Sequence, residues 1–473
     1  MKVPLSRLAW ALALVGVGAA LVATLGFVAA TLPTRVPYWG EAEVLFEASR
    51  LRHHLPLWTD PYAGASEYGA PPSRFYVTYP PLWTWVVSLV PSRAATTFAR
   101  GACTLAWLGT LAGLAATAKR EVRREAALAA AFVGGTWVLA NFATTGRPDA
   151  IACALAAIGL TRISRRGGAD LLSIALLVLV PWVKPTVIGL PAGALLGACL
   201  VDRARAPRTL AAAIGLAVAS AALAHVASGG AIFAHVVRSN AQPLSLGVWL
   251  EQVPSRLPFF APLLGWAAWV GWRDRRAASA RIGLAALVGA VLWTLFALAK
   301  TGSASNYWME PAVAAVSLIA RSKAGPVRVG GATIAHALAA LVCVAWAGVA
   351  SVRGALEHAR AYRDDAAFVA ALRARAGVDG GAVVAADEAG IELALNGRIL
   401  TPTYQMAHLA RRGAYPAETW IADLTSPATR AFVEHTGQLR LVPEVQRALA
   451  AHYVVAFEER GFRVWTPRRA GAP

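Results

Sequence analysis

Residues 79–91 read YPPLWTWVVSLVP. The run is apolar enough to suggest a bilayer crossing, but a crossing helix needs about 20 apolar residues and this one is shorter and bracketed by prolines. Counting it as a crossing would invert the sidedness of every later loop. Five groups of basic residues decide against that: Lys119, Arg120, Arg123 and Arg124; Arg162, Arg165 and Arg166; Arg203, Arg205 and Arg208; Arg273, Arg275, Arg276 and Arg281; and Arg321, Lys323 and Arg328. With 79–91 kept on one face as a juxtamembrane or re-entrant helix, all five groups fall on the cytoplasmic side, as the positive-inside rule requires.

Composition agrees. Of 473 residues, 57% are hydrophobic and 15% charged, with a mean hydropathy of +0.50, which leaves too little charged surface for a soluble protein of this size. The formal net charge of +19 would suggest nucleic acid in a soluble domain. Here the basic residues sit in short loops, where they orient helices in a bilayer, so nucleic acid is excluded as a partner. Cys103, Cys153, Cys199 and Cys343 lie inside apolar runs without paired spacing, which excludes a disulfide framework.

The pattern predicts a polytopic α-helical membrane protein of about eleven spans, near 8–31, 94–118, 126–145, 150–163, 170–183, 186–201, 209–227, 257–272, 282–300, 308–320 and 331–352. The first apolar run is longer than a secretory h-region and reads as a retained span with a cytoplasmic N-terminus. A long external loop covers 32–93. After residue 352 the charge density becomes ordinary and short β runs such as AVVAAD and YVVAF alternate with helical stretches. Residues 353–473 therefore read as a small soluble α/β domain, on the outer face because the number of spans is odd. The implied location is the plasma (inner) membrane.

Polar residues at the outer boundary are the candidates for chemistry. The stretch YWGEAEVLFEASRL starts the long external loop and carries Glu41 and Glu43, placed where a general base could meet a water-borne substrate; acids at a helix start also suit the helix dipole. Glu47 and Arg50 read as a surface i,i+3 pair. TTGRPDAIACAL places Arg147 and Asp149 in the next external connection, where Asp149 is either a helix N-cap or a second acid of the site. Lys184 stands at a proline-flanked break in VPWVKPTVIGLP and Lys300 at the end of FALAK. With Arg100 near the outer end of the second span, they could neutralise a phosphate. The loop GSASNYWMEP offers Asn306, Tyr307 and Glu310 for sugar hydroxyls, and Tyr79 stands at the same interface. His53 and His54 lack a partner at metal-binding spacing. No cofactor is indicated, and divalent-cation dependence is left open. Asp387 and Glu388 read as N-cap residues.

The order of these features resembles the GT-C fold of membrane glycosyltransferases, in the branch of the protein O-mannosyltransferases and the lipid A aminoarabinose transferase. The shared features are an acid opening the first external loop, the YPPL helix, the R-x-D of the second loop, the Lys-Pro break and a late NY…EP loop. The resemblance covers roughly residues 1–350. The family loop often opens with adjacent Asp-Glu, where this chain has Gly40 and Glu41.

The resemblance implies a glycosyltransferase that moves a sugar, with inversion, from a polyprenyl-phosphate donor to a lipid, glycan or protein acceptor on the outer face. Glu41 is the implied base, Glu43 competes for that role and Asp149 assists. Lys184, Arg100, Lys300 and Arg147 are assigned to the donor phosphate. Two other readings stand beside it: a carrier or flippase for a lipid-linked substrate, and a non-catalytic membrane protein of the same fold.

Overall fold

The structure is a computed structural model, and it describes residues 5–32, 35–38, 40–60, 75–322, 348–360, 365–375, 383–436 and 441–468. In chain order the helices are α1 Leu5–Thr31, α2 Gly40–Arg52, α3 Pro81–Ser88, α4 Ser92–Ala116, α5 Arg123–Gly135, α6 Trp137–Ala143, α7 Asp149–Arg166, α8 Leu171–Val183, α9 Gly189–Val201 and α10 Ala206–Ala227. A π-helical turn, Phe233–Arg238, precedes α11 Leu246–Arg273 and α12 Ala278–Ala297. A 3₁₀ turn, Ser305–Trp308, leads into α13 Met309–Ala320, and residues 348–360 form α14. Then come α15 Asp365–Arg375, β1 Val383–Ala386, α16 Ala389–Asn396, α17 Thr403–Arg411, α18 Ala417–Leu424, β2 Thr429–His435, α19 Pro443–His452, β3 Tyr453–Glu459 and β4 Phe462–Pro467.

The chain forms two compact units. One is Met1–Leu32, Ala99–Leu223 and Pro243–Arg360; the other is Pro33–Phe98, Ala224–Gln242 and Ala361–Pro473. The external loop expected at 32–93 therefore shares a unit with the C-terminal segment.

The first unit is helical. Among the described residues three helices are long and apolar enough to cross a membrane: Ala11–Thr31, Ala206–Ala227 and Ala278–Ala297. The bent pair α5 and α6 makes a fourth if counted as one span. The expected span 126–145 is thus two helices meeting at 70°. The sequence around the break, GGTW, accounts for it. Gly135 sits so close to α1 that a Cβ there would lie 3.1 Å from the Leu21 nitrogen. The backbone groups freed by the bend find partners: Thr24 Oγ donates to the Gly135 carbonyl at 3.1 Å and the Trp137 N–H donates to Ser351 Oγ at 3.0 Å. Such compensation is what a break in a membrane helix requires.

The other expected spans are helical but differ in length. The helices α8 and α9 have 13 residues each and α13 has 12, about 20 Å at 1.5 Å per residue against a hydrocarbon core of ~30 Å. The expected span at 331–352 falls largely outside the described residues, as does Cys343; Cys103, Cys153 and Cys199 are buried free thiols.

Every residue of α13 is buried, the polar Glu310 and Ser317 included, as expected for a mostly apolar helix surrounded by others. Beside it, α9 and α12 pack closely. Gly189, Gly193 and Gly197 repeat every four residues along one face of α9, and a Cβ at Gly193 would run into the Ala285 carbonyl oxygen. Small residues at this spacing let two backbones approach without side chains between them.

The second unit holds a four-stranded sheet in the order β1-β2-β4-β3, with β1 and β2 parallel and the other pairs antiparallel. Its strands alternate between two apolar layers. Val383, Ala385 and Phe432 face a core with Met406, Leu409, Trp420, Val445 and Leu449 from α17, α18 and α19. Val384, Ala386, Ala431, Val433 and Val464 face Phe368 and Leu372 of α15, Ile391 and Leu395 of α16, and Val36. A sheet covered on both faces reads as continuous apolar strands, which is how VVAA and AFV appear. The strands β3 and β4 form a hairpin, turning through Arg460 (φ 53°) and Gly461 (φ 79°), the positive-φ pair that a two-residue hairpin favours.

The YPPL helix is present as α3, with Pro81 at its first position, where a missing N–H costs nothing. Its far end is fastened by Arg52, which donates to the Val87 and Val90 carbonyls at 3.3 and 2.9 Å and to Ser92 Oγ at 2.9 Å. Helix α2 joins the C-terminal segment through a cluster of Ala42, Phe46, Leu57, Phe75 and Val77 with Ala389 and Ile399.

Candidate active site

In the helical unit the site residues gather around Asp149. Pro148 starts α7 and puts Asp149 at its first position, near the positive end of the helix dipole. The N-cap position is held by Pro148, so the capping role open to Asp149 is not the one it takes. Its Oδ1 accepts from Asn306 Nδ2 at 2.6 Å. Its Oδ2 faces Arg147 Nε at 3.3 Å and Lys184 Nζ at 3.4 Å. All are deeply placed, with side-chain exposures of 3% for Asp149, 4% for Lys184 and 12% for Arg147. The Arg147 guanidinium also lies 5.2 Å from the centre of the Phe142 ring, a cation–π contact that fixes its plane.

The local sequence explains why Lys184 is held there. Pro185 disfavours helical geometry at the residue before it, so α8 ends at Val183 and Lys184 is extended, at φ −144° and ψ 108°. The break is secured on its other side: Trp293 Nε1 donates to the Thr186 carbonyl at 2.7 Å, and the Glu310 carboxylate accepts the Leu190 N–H at the start of α9. Arg256 Nε donates to Ser305 Oγ at 2.8 Å and Thr294 Oγ to the Tyr307 carbonyl at 3.0 Å, which orients the turn carrying Asn306.

Of the expected phosphate ligands, Lys184 and Arg147 are therefore brought together. Lys300, paired at a bridge with Leu244, lies within electrostatic reach of Lys184. Arg100 is buried and donates to the Leu32 carbonyl at 2.6 Å, closing the end of α1. Cys103, one turn further along α4, donates to the Arg147 carbonyl at 3.1 Å. Of the expected sugar-reading residues in this unit, Asn306 orients Asp149, Glu310 caps α9, and Tyr307 is partly exposed.

The second unit carries the acids of α2. Glu41, Glu43 and Glu47 are buried, as is Arg50. The surface pair expected of Glu47 and Arg50 is corrected: both are interior, because α2 is covered by α3, α16 and the 75–78 segment. Arg50 donates through Nε and Nη2 to the Pro56 carbonyl and lies against the Phe46 and Phe75 rings. Glu47 accepts from the Thr78 N–H at 3.3 Å and from Thr84 Oγ at 3.2 Å. Burial, and then the charge of Glu43 one turn away, push the Glu47 carboxyl well above its ordinary range against the pull of these donors. Glu43 accepts from Gln405 Nε2 at 3.0 Å.

Tyr79 sits over the start of this helix. Its hydroxyl occupies the space a Cβ at Gly40 would need, so an acid in the position before Glu41 has no room here. Among the described residues no group of three or more His, Cys, Asp or Glu is arranged to hold a metal ion, and His53 and His54 are exposed. In the C-terminal segment the N-cap expectation is corrected. Glu388 occupies the cap position of α16 without a side-chain capping bond, and Asp387 accepts the His435 N–H at 2.9 Å. Gln405, Thr78, Thr84 and Asn240 were not legible as site residues, since each polar group gains its meaning from a distant segment.

No family model matches the sequence, and no curated protein matches it either. The structure is similar to that of ArnT from Cupriavidus metallidurans bound to undecaprenyl phosphate, with a TM-score of 0.57 and 14% identity over 97% of this chain and 98% of that one. The apo state of the same protein gives 0.56 and 14% over the same shares. An archaeal oligosaccharyltransferase, AglB from Archaeoglobus fulgidus in complex with an inhibitory peptide and a dolichol-phosphate, matches at a TM-score of 0.48 and 12% identity over 97% of this chain and 75% of that one. The chain thus has, along nearly its whole length, the fold of ArnT from Cupriavidus metallidurans.

Proposed function

We propose that this protein is a membrane glycosyltransferase that takes a sugar from a polyprenyl-phosphate donor and passes it, with inversion, to an acceptor at the outer face of the plasma (inner) membrane. In this reading the chain crosses the bilayer about eleven times, with its N-terminus cytoplasmic and its C-terminal α/β segment outside. The observation that carries the reading is the buried meeting of Lys184 and Arg147 on Asp149 at a helix break. It is supported by a fold shared with a protein captured with undecaprenyl phosphate.

In the reaction an acceptor oxygen bonds to the anomeric carbon, the bond from that carbon to the phosphate oxygen breaks, and the acceptor proton goes to a carboxylate. Glu41 and Glu43 are the carboxylates for that step. The lipid phosphate leaves as a stable anion, so the protein's task is orientation and neutralisation of charge. Lys184 and Arg147 meet the phosphate, joined by Lys300 and Arg100, while Asp149 and Asn306 fix where the two cations point. Tyr307 is left as a contact for the sugar, and Tyr79 shapes the start of the acid helix.

The test is to assay donor binding and transfer separately, in nanodiscs, for wild type, Lys184→Met and Asp149→Asn, and for Glu41→Gln and Glu43→Gln. Lys184→Met is expected to lose donor affinity and to slow transfer by about 10²–10³-fold. A Gln substitution of the base is expected to slow transfer by about 10²–10⁴-fold and leave donor binding intact. Lys184→Met binding donor as tightly as wild type would overturn the phosphate assignment.

A further inference from the structure

Gln405, the third residue of α17, is 94% buried by its 6% exposure. Its amide nitrogen spends both hydrogens, one on Glu43 Oε1 and one on Thr78 Oγ, each at 3.0 Å. That fixes the orientation of the amide, because turning it over would set its oxygen against a carboxylate oxygen. The amide Oε1 is then buried with no hydrogen-bond partner among the described residues. Thr78 is itself immobilised, donating its N–H to Glu47 and accepting at its carbonyl from Asn240 Nδ2 at 3.1 Å. A carboxylate held by a rigid amide, with a second buried acceptor oxygen on that amide, is a costly arrangement for a purely structural contact.

We propose that Gln405 is the positioning residue of Glu43 and that its Oε1 completes an acceptor subsite, taking a hydrogen bond from the acceptor while Glu43 takes the proton. The inference rests on the glycosyltransferase reading, and within it selects Glu43 over Glu41 as the base. It also limits the acceptor. Two oxygen acceptors side by side welcome a group with hydrogens to give, such as a sugar hydroxyl or an amine, and repel a phosphate or carboxylate at that point. The C-terminal segment then belongs to the catalytic apparatus, since it supplies the residue that orients the base.

The experiment uses the full chain in nanodiscs, as wild type, Gln405→Leu and Gln405→Glu. Two readouts are taken: the pH profile of kcat/KM for acceptor at saturating donor, and the ionisation of Glu43 by infrared difference spectroscopy with Glu43→Gln as the blank. Gln405→Leu is expected to lose about tenfold or more in kcat/KM for acceptor with donor KM unchanged. Its acid limb and its Glu43 band should both move up by about one pH unit, because a donor to the charged carboxylate is gone. Gln405→Glu should recover as pH falls, since a protonated carboxyl can donate where the amide did. An unchanged pH profile and infrared band in a folded Gln405→Leu protein would overturn the inference while leaving the transfer reading intact. A wild type that moves no sugar would remove that reading, and the infrared shift would then decide by itself whether Gln405 holds Glu43.

Discussion

Asp149 shows how one side chain organises its surroundings. It meets two cations through Oδ2 and an amide through Oδ1, so the positions of Lys184 and Arg147 depend on Asn306 as well. On the proposed transferase reading, Asn306→Ala is expected to reduce affinity for a polyprenyl-phosphate donor by about tenfold, of the order seen when a residue orienting a ligand group is lost. Asn306→Asp, which sets a second carboxylate against the first, should be worse than Asn306→Ala. A native mass-spectrometry titration of the two variants checks both, and equal affinities for wild type and Asn306→Ala would remove Asn306 from the site. Much of this was legible in the sequence. The R-x-D and Lys-Pro motifs singled out Arg147, Asp149 and Lys184, and the break itself follows from Pro185, but that both cations and Asn306 meet on Asp149 was not marked. What the sequence concealed is burial: Glu47 and Arg50 have the spacing of a surface pair, and only the cover over α2 makes them interior.

At the scale of elements, close packing without side chains does the work. The four-residue repeat of glycine on α9 brings its backbone against α12. Gly193→Val must push the two helices apart and is expected to cost about 1–3 kcal/mol. Gly215→Val on α10, where nothing lies within 4 Å of the would-be Cβ, should stay within about 0.5 kcal/mol of wild type. Thermal unfolding in detergent compares the pair, and an equal effect at both positions would contradict the packing. Hydropathy located most of these helices but could not report their lengths. The 70° bend inside residues 126–145 was marked only by GGT, and its stability depends on Thr24 and Ser351, which are far away in sequence. The terminal hairpin needed no such help, since its strands flank their own turn.

Across the whole molecule, composition disclosed the helical unit, and strand patterning the sheet. The grouping of 33–98 and 224–242 with the C-terminal segment was hidden, because it is written in packing between distant residues such as Val36 and Ile391. That unit should also respond to pH. Glu392 is buried and accepts from the Ala386, Leu400 and Thr401 N–H groups, yet loss of solvation dominates and raises its carboxyl from 4.5 to about 8. The folded state then holds a proton that the unfolded state releases near 4.5. Stability is accordingly expected to fall as pH rises between about 4.5 and 8, by at most ~1.4 kcal/mol per pH unit from this group, and to level off above. Glu392→Gln should flatten that slope, and a slope unchanged in the variant would assign it elsewhere.

The central claim is that sugar leaves a lipid phosphate on this protein. Its most direct test is a single-turnover measurement on the wild type in nanodiscs, with polyprenyl-phosphate donors labelled separately in sugar and lipid and a set of hydroxyl- and amine-bearing acceptors. The expected result is sugar label on an acceptor in step with release of free polyprenyl phosphate, one for one. Donor bound at stoichiometry with both labels still joined, across the whole set, would contradict the claim and point to a carrier.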